Sequence, residues 1–392
     1  MILKSVEIAV VGGGVIGSAI CYYLAKEGYD VALFERGGLV DGASGACGGY
    51  VGLQTKGLEY KLSLAVKSRG IFRTLEEELE EDIECRESPG MIIAENDEEV
   101  EYISTLTRQL KEKGINIELL DRRQVRKQQP ILNESVKQAT LCLDDCEVNP
   151  IKLTLALAAG AERNGAKIFT HTQIKDIGLT RNRVSAIITD RGKINTGIVI
   201  NAGGIWAPQI GNMVGLKIPI IPRRGILIVS EPMAPLVNGH IIAARSSVAK
   251  LSSPSGHTTE RATPSFGGGI SIAQHENGNI VCGTTREFVG YDKSTTFRGI
   301  SFIVGELLRI FPSLENMRII RTFAGLRPYT PDGLPIVGNI SGIDGFIVAA
   351  GHEGDGIALA PITGKLVAAL ISGDEIPEML APLNLTRFQE IK

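Results

Sequence analysis

The chain has 392 residues, 43% of them hydrophobic, with 41 basic against 44 acidic side chains. That length exceeds one ordinary hydrophobic core and predicts two domains, while the near-balanced charge gives no electrostatic attraction to nucleic acid or an anionic membrane. No apolar run approaches the ~20 residues that cross a bilayer, and "MILKSVEIAV" leads into a strand without the features of a secretion signal, so a cytoplasmic location is expected.

The first predicted element is the apolar strand in "VEIAVV". It runs into the turn Gly12-x-Gly14-x-x-Gly17, a helix in "SAICYYLAKEGY", and a second strand in "DVALFER". This βαβ unit carries the dinucleotide-binding pattern in its required context. Gly12 permits the tight turn, Gly14 lets the backbone approach a pyrophosphate, and Gly17 lets helix and strand pack closely. Glu35 stands 18 residues after Gly17, where a carboxylate can accept hydrogen bonds from ribose hydroxyls. Up to this point NAD and FAD remain equally open.

A glycine-rich loop, "GGLVDGASGACGGYVG", follows. Residues 58–80 have helical spacing and an acidic, solvent-facing end. "MIIAE" reads as a strand, "DEEVEYISTLTRQLKEKG" as an amphipathic helix and "INIELLD" as extended chain. "NPIKLTLALAAGAERNGAKIFTHTQIKDI" reads as helix then strand, and "RVSAIITDRGKINTGIVINAGG" as a hairpin feeding a buried strand. From 216 to 324 the chain is mostly extended, interrupted by one helix near "RGISFIVGELLRIF". Glycine-rich turns and the helix in "GDGIALAPITGKLVAALISG" end the pattern. There is no internal repeat. The nucleotide-binding segments are interrupted by insertions that build a second domain. The expected fold is α/β: a Rossmann-like dinucleotide-binding domain (1–85, 145–215 and 325–392) interleaved with an α+β substrate domain (86–144 and 216–324) on a mostly antiparallel sheet.

Six cysteines are scattered along the chain and are expected to be reduced. Cys142 and Cys146 are not spaced as CxxC, no second pair exists, and the histidines are distant in sequence, so no metal is expected. Cys47 follows the glycine-rich loop. Disulfide reductases of the two-dinucleotide fold have a second cysteine a few residues on, where this chain reads "GGYVGLQ".

Four blocks distinguish the nucleotide: "VVGGGVIGSA…LFER", "GASGACGG", "TGIVINAGGIWA", and the C-terminal pair "AGLRPYTPDGLPIVG" and "GHEGDGIALAPITG". Over essentially its whole length the chain resembles FAD-dependent amino-acid oxidoreductases of the D-amino-acid oxidase class. Glycine oxidase, sarcosine oxidase and D-amino-acid dehydrogenase belong to that class. The resemblance implies FAD. It places Glu35 on the ribose, Arg36 beside the adenine, and Ser44, Gly45, Ala46, Cys47, Gly48 and Gly49 at the pyrophosphate. Ile174 would cover the adenosine, Ala202 and Gly203 would pass under the nucleotide, and Gly354, Asp355, Gly356 and Ile357 would reach the flavin ring. Val15, Ile16, Trp206 and Gly325 complete the implied cofactor-binding set. The N–H groups of a helix beginning at Asp355 would stabilise negative charge on the reduced ring; a simple Gly-Asp helix cap is the structural alternative. Gly325 stands where monomeric sarcosine oxidases carry a flavin-linking cysteine, which implies non-covalent FAD.

On the substrate side, Arg327 of "GLRPYTPDG" matches the arginine that clamps the substrate carboxylate in glycine oxidase and D-amino-acid oxidase. A guanidinium forks onto a carboxylate through two parallel hydrogen bonds; the alternative is a structural ion pair. Arg223 and Arg224 are weaker candidates, and His352 is a further candidate for a chemical role. The implied reaction is oxidation of a Cα–N bond by hydride transfer to flavin N5, giving an imine that water hydrolyses. "GHEGDGIALAPITGKLV" and "TREFVGYD" are most similar to catalytic β subunits of hetero-oligomeric, dye-linked dehydrogenases acting on proline, hydroxyproline, sarcosine, glycine or opines. That similarity implies a partner subunit and an electron acceptor other than O2. The alternatives are a self-sufficient glycine or D-amino-acid oxidase, and a flavin electron-transfer subunit without a substrate of its own.

Overall fold

Every residue of Ile8–Val11 is buried, and its two faces feed two different cores. Ile8 and Val10 join one cluster, with the helices Val15–Lys26, Tyr60–Leu79, Pro150–Arg163 and Gly356–Ser372. Ala9 and Val11 join another, with Ile177, Val184, Ile187 and Phe346. Continuous apolar strands of this kind belong to parallel sheets covered on both faces, and this strand pairs in parallel with Val31–Phe34 on one side and Ile198–Asn201 on the other. The computed structural model describes residues 3–57, 59–245, 266, 269–374 and 378–388.

The full nine-stranded sheet runs in the order Ile174–Thr180, Arg183–Thr189, Ile343–Ala350, Ile198–Asn201, Ile8–Val11, Val31–Phe34, Lys167–Phe169. Gly192–Asn195 and Ile336–Ile340 pair off this path. Its strands come from both ends and the middle of the chain. The expected hairpin is present: Arg183–Thr189 pairs antiparallel with Gly192–Asn195.

A second, eight-stranded sheet runs Ile319–Tyr329, Ile221–Pro232, Asn279–Gly283, Ser271–Gln274, His240–Ala243, Gly90–Ala94, Gln138–Cys142, Ile117–Leu120. All its pairings are antiparallel except that of His240–Ala243 with Gly90–Ala94. Period-two alternation gives it two different faces. Ile226, Ile228, Ile241, Ile272 and Cys282 pack on the helix Phe297–Ile310, while Gly225, Leu227, Ile242, Ser271 and Ala273 face a cavity. A small three-stranded sheet of Tyr50–Val51, Cys146–Glu147 and Arg86–Glu87 stands apart from both larger sheets.

Local chemistry sets the helix starts. Asn96, Asn149 and Thr296 cap Asp97–Glu112, Pro150–Arg163 and Phe297–Ile310. Asp121 and Gln124 form a reciprocal capping box on Arg122–Gln128, a short helix absent from the sequence reading. The expected domain limit at 325 falls inside Ile319–Tyr329, which pairs with Ile221–Pro232 from Ile319 through Tyr329; the chain leaves the second sheet only after Tyr329. Residues 246–265 of the expected substrate domain lie outside the described residues. Among the described residues no helix is long and apolar enough to cross a membrane.

Candidate active site

The parallel strands end together, and their C-terminal residues open onto a cavity of about 560 Å³ whose far wall is the second sheet. Ligands of open α/β sheets lie at such strand ends. Gly12 turns at φ +118°, and a Cβ there would strike the Ala202 carbonyl. A Cβ on Gly17 would strike the Gly12 carbonyl, so Gly17 sets helix against strand without lining the cavity. Gly45 is also outside the lining; its missing side chain makes room for the Val40 carbonyl. Every other expected cofactor residue lines the cavity: Gly12, Gly14, Val15, Ile16, Glu35, Arg36, Ser44, Ala46, Cys47, Gly48, Gly49, Ile174, Ala202, Gly203, Trp206, Gly325, Gly354, Asp355, Gly356 and Ile357.

The polar groups along this wall are held in place. The Glu35 carboxylate accepts from Gly13 N at 2.7 Å and Gly37 N at 2.8 Å, which leaves lone pairs for further donors. Ser44 Oγ accepts from Val15 N at 3.0 Å, pinning the glycine-rich loop to the helix start. The Arg36 guanidinium lies over the Trp206 ring, 3.6 Å from its centroid. The Cys47 thiol donates to Ser44 O at 3.3 Å, and burial pushes it up to about 11. Among the described residues no three His, Cys, Asp or Glu side chains are grouped so as to hold a metal ion.

At the other end, Asp355 sits at the N-terminus of Gly356–Ser372 but makes no side-chain cap, so the simple cap is not what the structure shows. Its carboxylate instead takes Lys56 and, at 3.1 Å, Lys61. The N-terminal turn of the helix, through Gly356 and Ile357, lines the cavity with its positive dipole end. His352 is buried, with Nε2 3.0 Å from Thr363 Oγ1. Burial outweighs Asp355 and lowers its pKa to about 3.

The register of Ile221–Pro232 against Ile319–Tyr329 separates Arg224 from the other two candidate arginines. Arg223 lies opposite Arg327, and Arg224 opposite Leu326. Arg224 therefore points to the other face, where Glu287 at 2.8 Å and Asp292 at 2.6 Å hold it. Arg223 pairs with Glu353 and packs 4.7 Å from the Tyr329 ring centroid, outside the cavity lining. Arg327 alone of the three lines the cavity. It donates to Thr284 Oγ1 at 2.8 Å and Thr285 O at 3.2 Å, and its guanidinium lies where any side chain on Gly225 would stand. Two of its five N–H groups are thereby used and the plane of the fork is fixed.

The sequence reading missed several wall residues. Arg286 lines the cavity two residues beyond Thr284; Lys56, Glu353, Tyr50 and His240 line it as well. Tyr50 stacks on His240 with centroids 4.0 Å apart, and its hydroxyl donates to the buried Asp145. "TREFVGYD" contained the signal for Arg286; nothing local marks Lys56, whose role is created by Asp355, 299 residues away.

Residues 7–370 match the model of the FAD dependent oxidoreductase (DAO) family, and the chain belongs to that family. Hydrogen cyanide synthase subunit HcnC of Pseudomonas aeruginosa is 28% identical across 98% of this chain and 97% of its own length. Glycine oxidase of Geobacillus kaustophilus is 30% identical across 97% of each. The crystal structure of that oxidase superposes with a TM-score of 0.88 at 29% identity, covering 98% of this chain and 99% of its own. L-proline dehydrogenase from P. horikoshii superposes with a TM-score of 0.87 at 26% identity, covering 99% of each chain. The protein is thus an FAD-dependent amino-acid oxidoreductase. The cavity fits FAD: side-chain-free glycines at the βαβ turn, a carboxylate at the end of Val31–Phe34, and a helix N-terminus at the opposite end.

Two outcomes follow. At Gly14 an added Cβ meets Ser44 Oγ at 3.1 Å and nothing else within 4 Å, so Gly14→Val folds but fills the nucleotide channel; size-exclusion of the purified variant should yield colourless protein with wild-type circular dichroism. The second concerns acid stability. His240 and His352 are both lowered to about 3, chiefly by burial, whereas the unfolded chain binds these protons near pH 6.5. The unfolded state therefore holds more protons below that pH. Stability falls on acidification by up to about 1.4 kcal/mol per pH unit for each histidine. The melting temperature of the double variant H240Q/H352Q should drop less than that of wild type between about pH 7 and pH 5.

Proposed function

We propose that the chain oxidises the Cα–N bond of a small amino acid or N-substituted amino acid, with Arg327 clamping the substrate carboxylate in the cavity between the two sheets. The observation that carries this reading is the placement of Arg327: in the cavity wall, fixed from below by Gly225 and from the side by Thr284 and Thr285. When bound, FAD supplies the two-electron acceptor for that bond. We further assign Glu35 to the ribose, the Ser44–Gly49 loop to the pyrophosphate and the Gly354–Ile357 turn to the flavin end.

The protein's own contribution is orientation and electrostatics. Burial in the wall lowers the pKa of Arg327, yet Glu353 supports its charge, so the clamp stays cationic at neutral pH. His352 is neutral and bonded to Thr363, and we give it no proton-transfer role. Gly325 packs on Ala46, where a side chain would collide with the Ala46 carbonyl; this supports non-covalent binding of FAD.

We also propose that the chain is the catalytic subunit of a hetero-oligomeric dehydrogenase in the cytoplasm. Two observations support a partner. One relative is itself a subunit, of hydrogen cyanide synthase. Among the described residues the long strand Ile319–Tyr329 is the terminal strand of its sheet, and apolar side chains on and against it are exposed: Ile320 on the strand by 61%, and Phe288, edge-on to Tyr329, by 54%. Long, apolar sheet edges are ordinarily blunted or covered.

Arg327→Leu should leave FAD content unchanged while lowering kcat/KM about 30- to 1000-fold. Removing one partner of a partly desolvated charged contact costs about 2–4 kcal/mol, and each ~1.4 kcal/mol is tenfold. Arg327→Lys recovers only part, because an ammonium keeps the charge and loses the fork. Replacing the substrate carboxylate by an amide should cost little further in the Leu variant; an equal penalty in wild type and variant shows that Arg327 does not meet the carboxylate. For the electron acceptor, turnover of the isolated chain with an artificial dye should exceed peroxide production by a wide margin. Equal rates identify a self-sufficient oxidase, and failure of every amine to reduce the flavin identifies an electron-transfer subunit.

A further inference from the structure

A second guanidinium shares the cavity wall with Arg327. Arg286 lines the cavity and is mounted on the same short segment that anchors the clamp, since Thr284 and Thr285 hold the Arg327 guanidinium. That segment is rigid. Thr285 Oγ1 donates to Glu287 at 2.7 Å and accepts from Ile226 N at 3.1 Å. Arg224 N and Glu287 O are 2.8 Å apart, and Glu287 N and Arg224 O 3.0 Å. Burial, then the repulsion of Arg327 and of Arg223, brings Arg286 down to about 10. The electrostatic neighbourhood of these groups is cationic: Lys56, Lys61, Arg223, Arg286 and Arg327 against the carboxylates Glu353 and Asp355.

Two like charges near one another on a partly dry wall raise each other's energy, and an anion in front of both relieves it. A single carboxylate has two oxygens, and one guanidinium fork occupies both. The second guanidinium therefore suits a second acidic group on the same substrate.

Building on the Arg327 clamp, we propose that the substrate is an amino acid carrying two carboxylates, one held by Arg327 and the other by Arg286. The second carboxylate can reach Arg286 from either of two positions. It can be attached through the amine nitrogen, as in an N-carboxyalkyl amino acid, or through the side chain, as in aspartate and glutamate.

The test compares matched pairs by anaerobic reduction of the bound flavin. Iminodiacetate against sarcosine probes the nitrogen-linked acid, and aspartate against alanine, each enantiomer separately, probes the side-chain acid. In wild type, one diacid should exceed its monoacid partner at least tenfold in kcat/KM, and the pair that does so identifies the attachment. In Arg286→Met the diacid-to-monoacid ratio should fall about 30- to 1000-fold, the usual cost of removing one member of a close, partly desolvated charge pair; Arg286→Lys should restore part of it. Thiodiacetate and (methylthio)acetate, whose sulfur replaces the oxidisable nitrogen, give a readout free of turnover. Perturbation of the flavin absorbance should show tighter binding of thiodiacetate in wild type and a lost preference in Arg286→Met, with FAD content reporting the fold. The inference is overturned when diacids show no preference in wild type, or when Arg286→Met lowers both members of a pair equally. Failure of all four amines together with the thioethers overturns the Arg327 clamp itself; monoacid turnover without diacid preference leaves the clamp standing and removes only the Arg286 assignment.

Discussion

Four backbone segments meet at the end of Ile8–Val11 more closely than side chains permit, and the site depends on that approach. Gly12 turns beneath the Ala202 carbonyl, Gly17 lies against the Gly12 carbonyl, and Gly13 lies where a Cβ would strike Glu35. A Cβ on Gly203 would meet Ile210 and the Asn201 side-chain oxygen. Asn201 itself is buried and ties the segment down, bonding to Ala207 O at 2.9 Å. The result is a wall of backbone without protruding atoms, along which a pyrophosphate can run, with N–H groups of a helix start directed at it. An added methyl group at Gly12 or Gly17 would therefore act on the whole arrangement of strand, helix and crossover, since these positions have no soft neighbour to displace.

The βαβ unit was legible because its requirements are local: a continuous apolar run, glycines at fixed offsets, and an acid at the end of the next strand. The hairpin Arg183–Asn195 was legible for the same reason, with alternating apolar residues around "TDRG". The helix Arg122–Gln128 was not. Its sequence, "RRQVRKQ", has one buried residue, Val125, and only the reciprocal cap at Asp121 and Gln124 marks it. The antiparallel sheet was legible as extended chain but not as an order of strands, because its neighbours include Gly90–Ala94 beside His240–Ala243, elements 150 residues apart in the chain.

The site divided along the same line. Arg327 was found through its motif. Choosing it over Arg224 required the cross-strand register, since adjacent residues on a strand point to opposite faces and only the pairing shows which face borders the cavity; Arg223 shares the face of Arg327 and is set apart by lying outside the cavity lining. That register also explains Glu353. Arg223 and Arg327 are directly opposed like charges, a destabilising cross-strand pair, and Glu353, itself in the cavity wall, takes up Arg223. Neither Glu353 nor Arg286 could be assigned before these strands were laid side by side.

Asp355 shows how the two ends of the cavity are fixed relative to one another. Its carboxylate joins Lys56, which follows the glycine-rich loop, to Lys61 at the start of Tyr60–Leu79, and its backbone opens Gly356–Ser372. Ion pairs this buried contribute little net stability, because desolvation offsets much of the attraction. Their geometry is nevertheless demanding, since losing one partner leaves a charge buried alone. The loop beside the expected pyrophosphate and the helix beside the expected flavin are thus held to one arrangement by a contact that penalises every other one. An amide at position 355 would keep the shape while removing the charge that holds both lysines. A cost to the ordering of the loop far exceeding the cost to the helix would therefore mark this pair as a positioning device for the cavity and not a support for the fold.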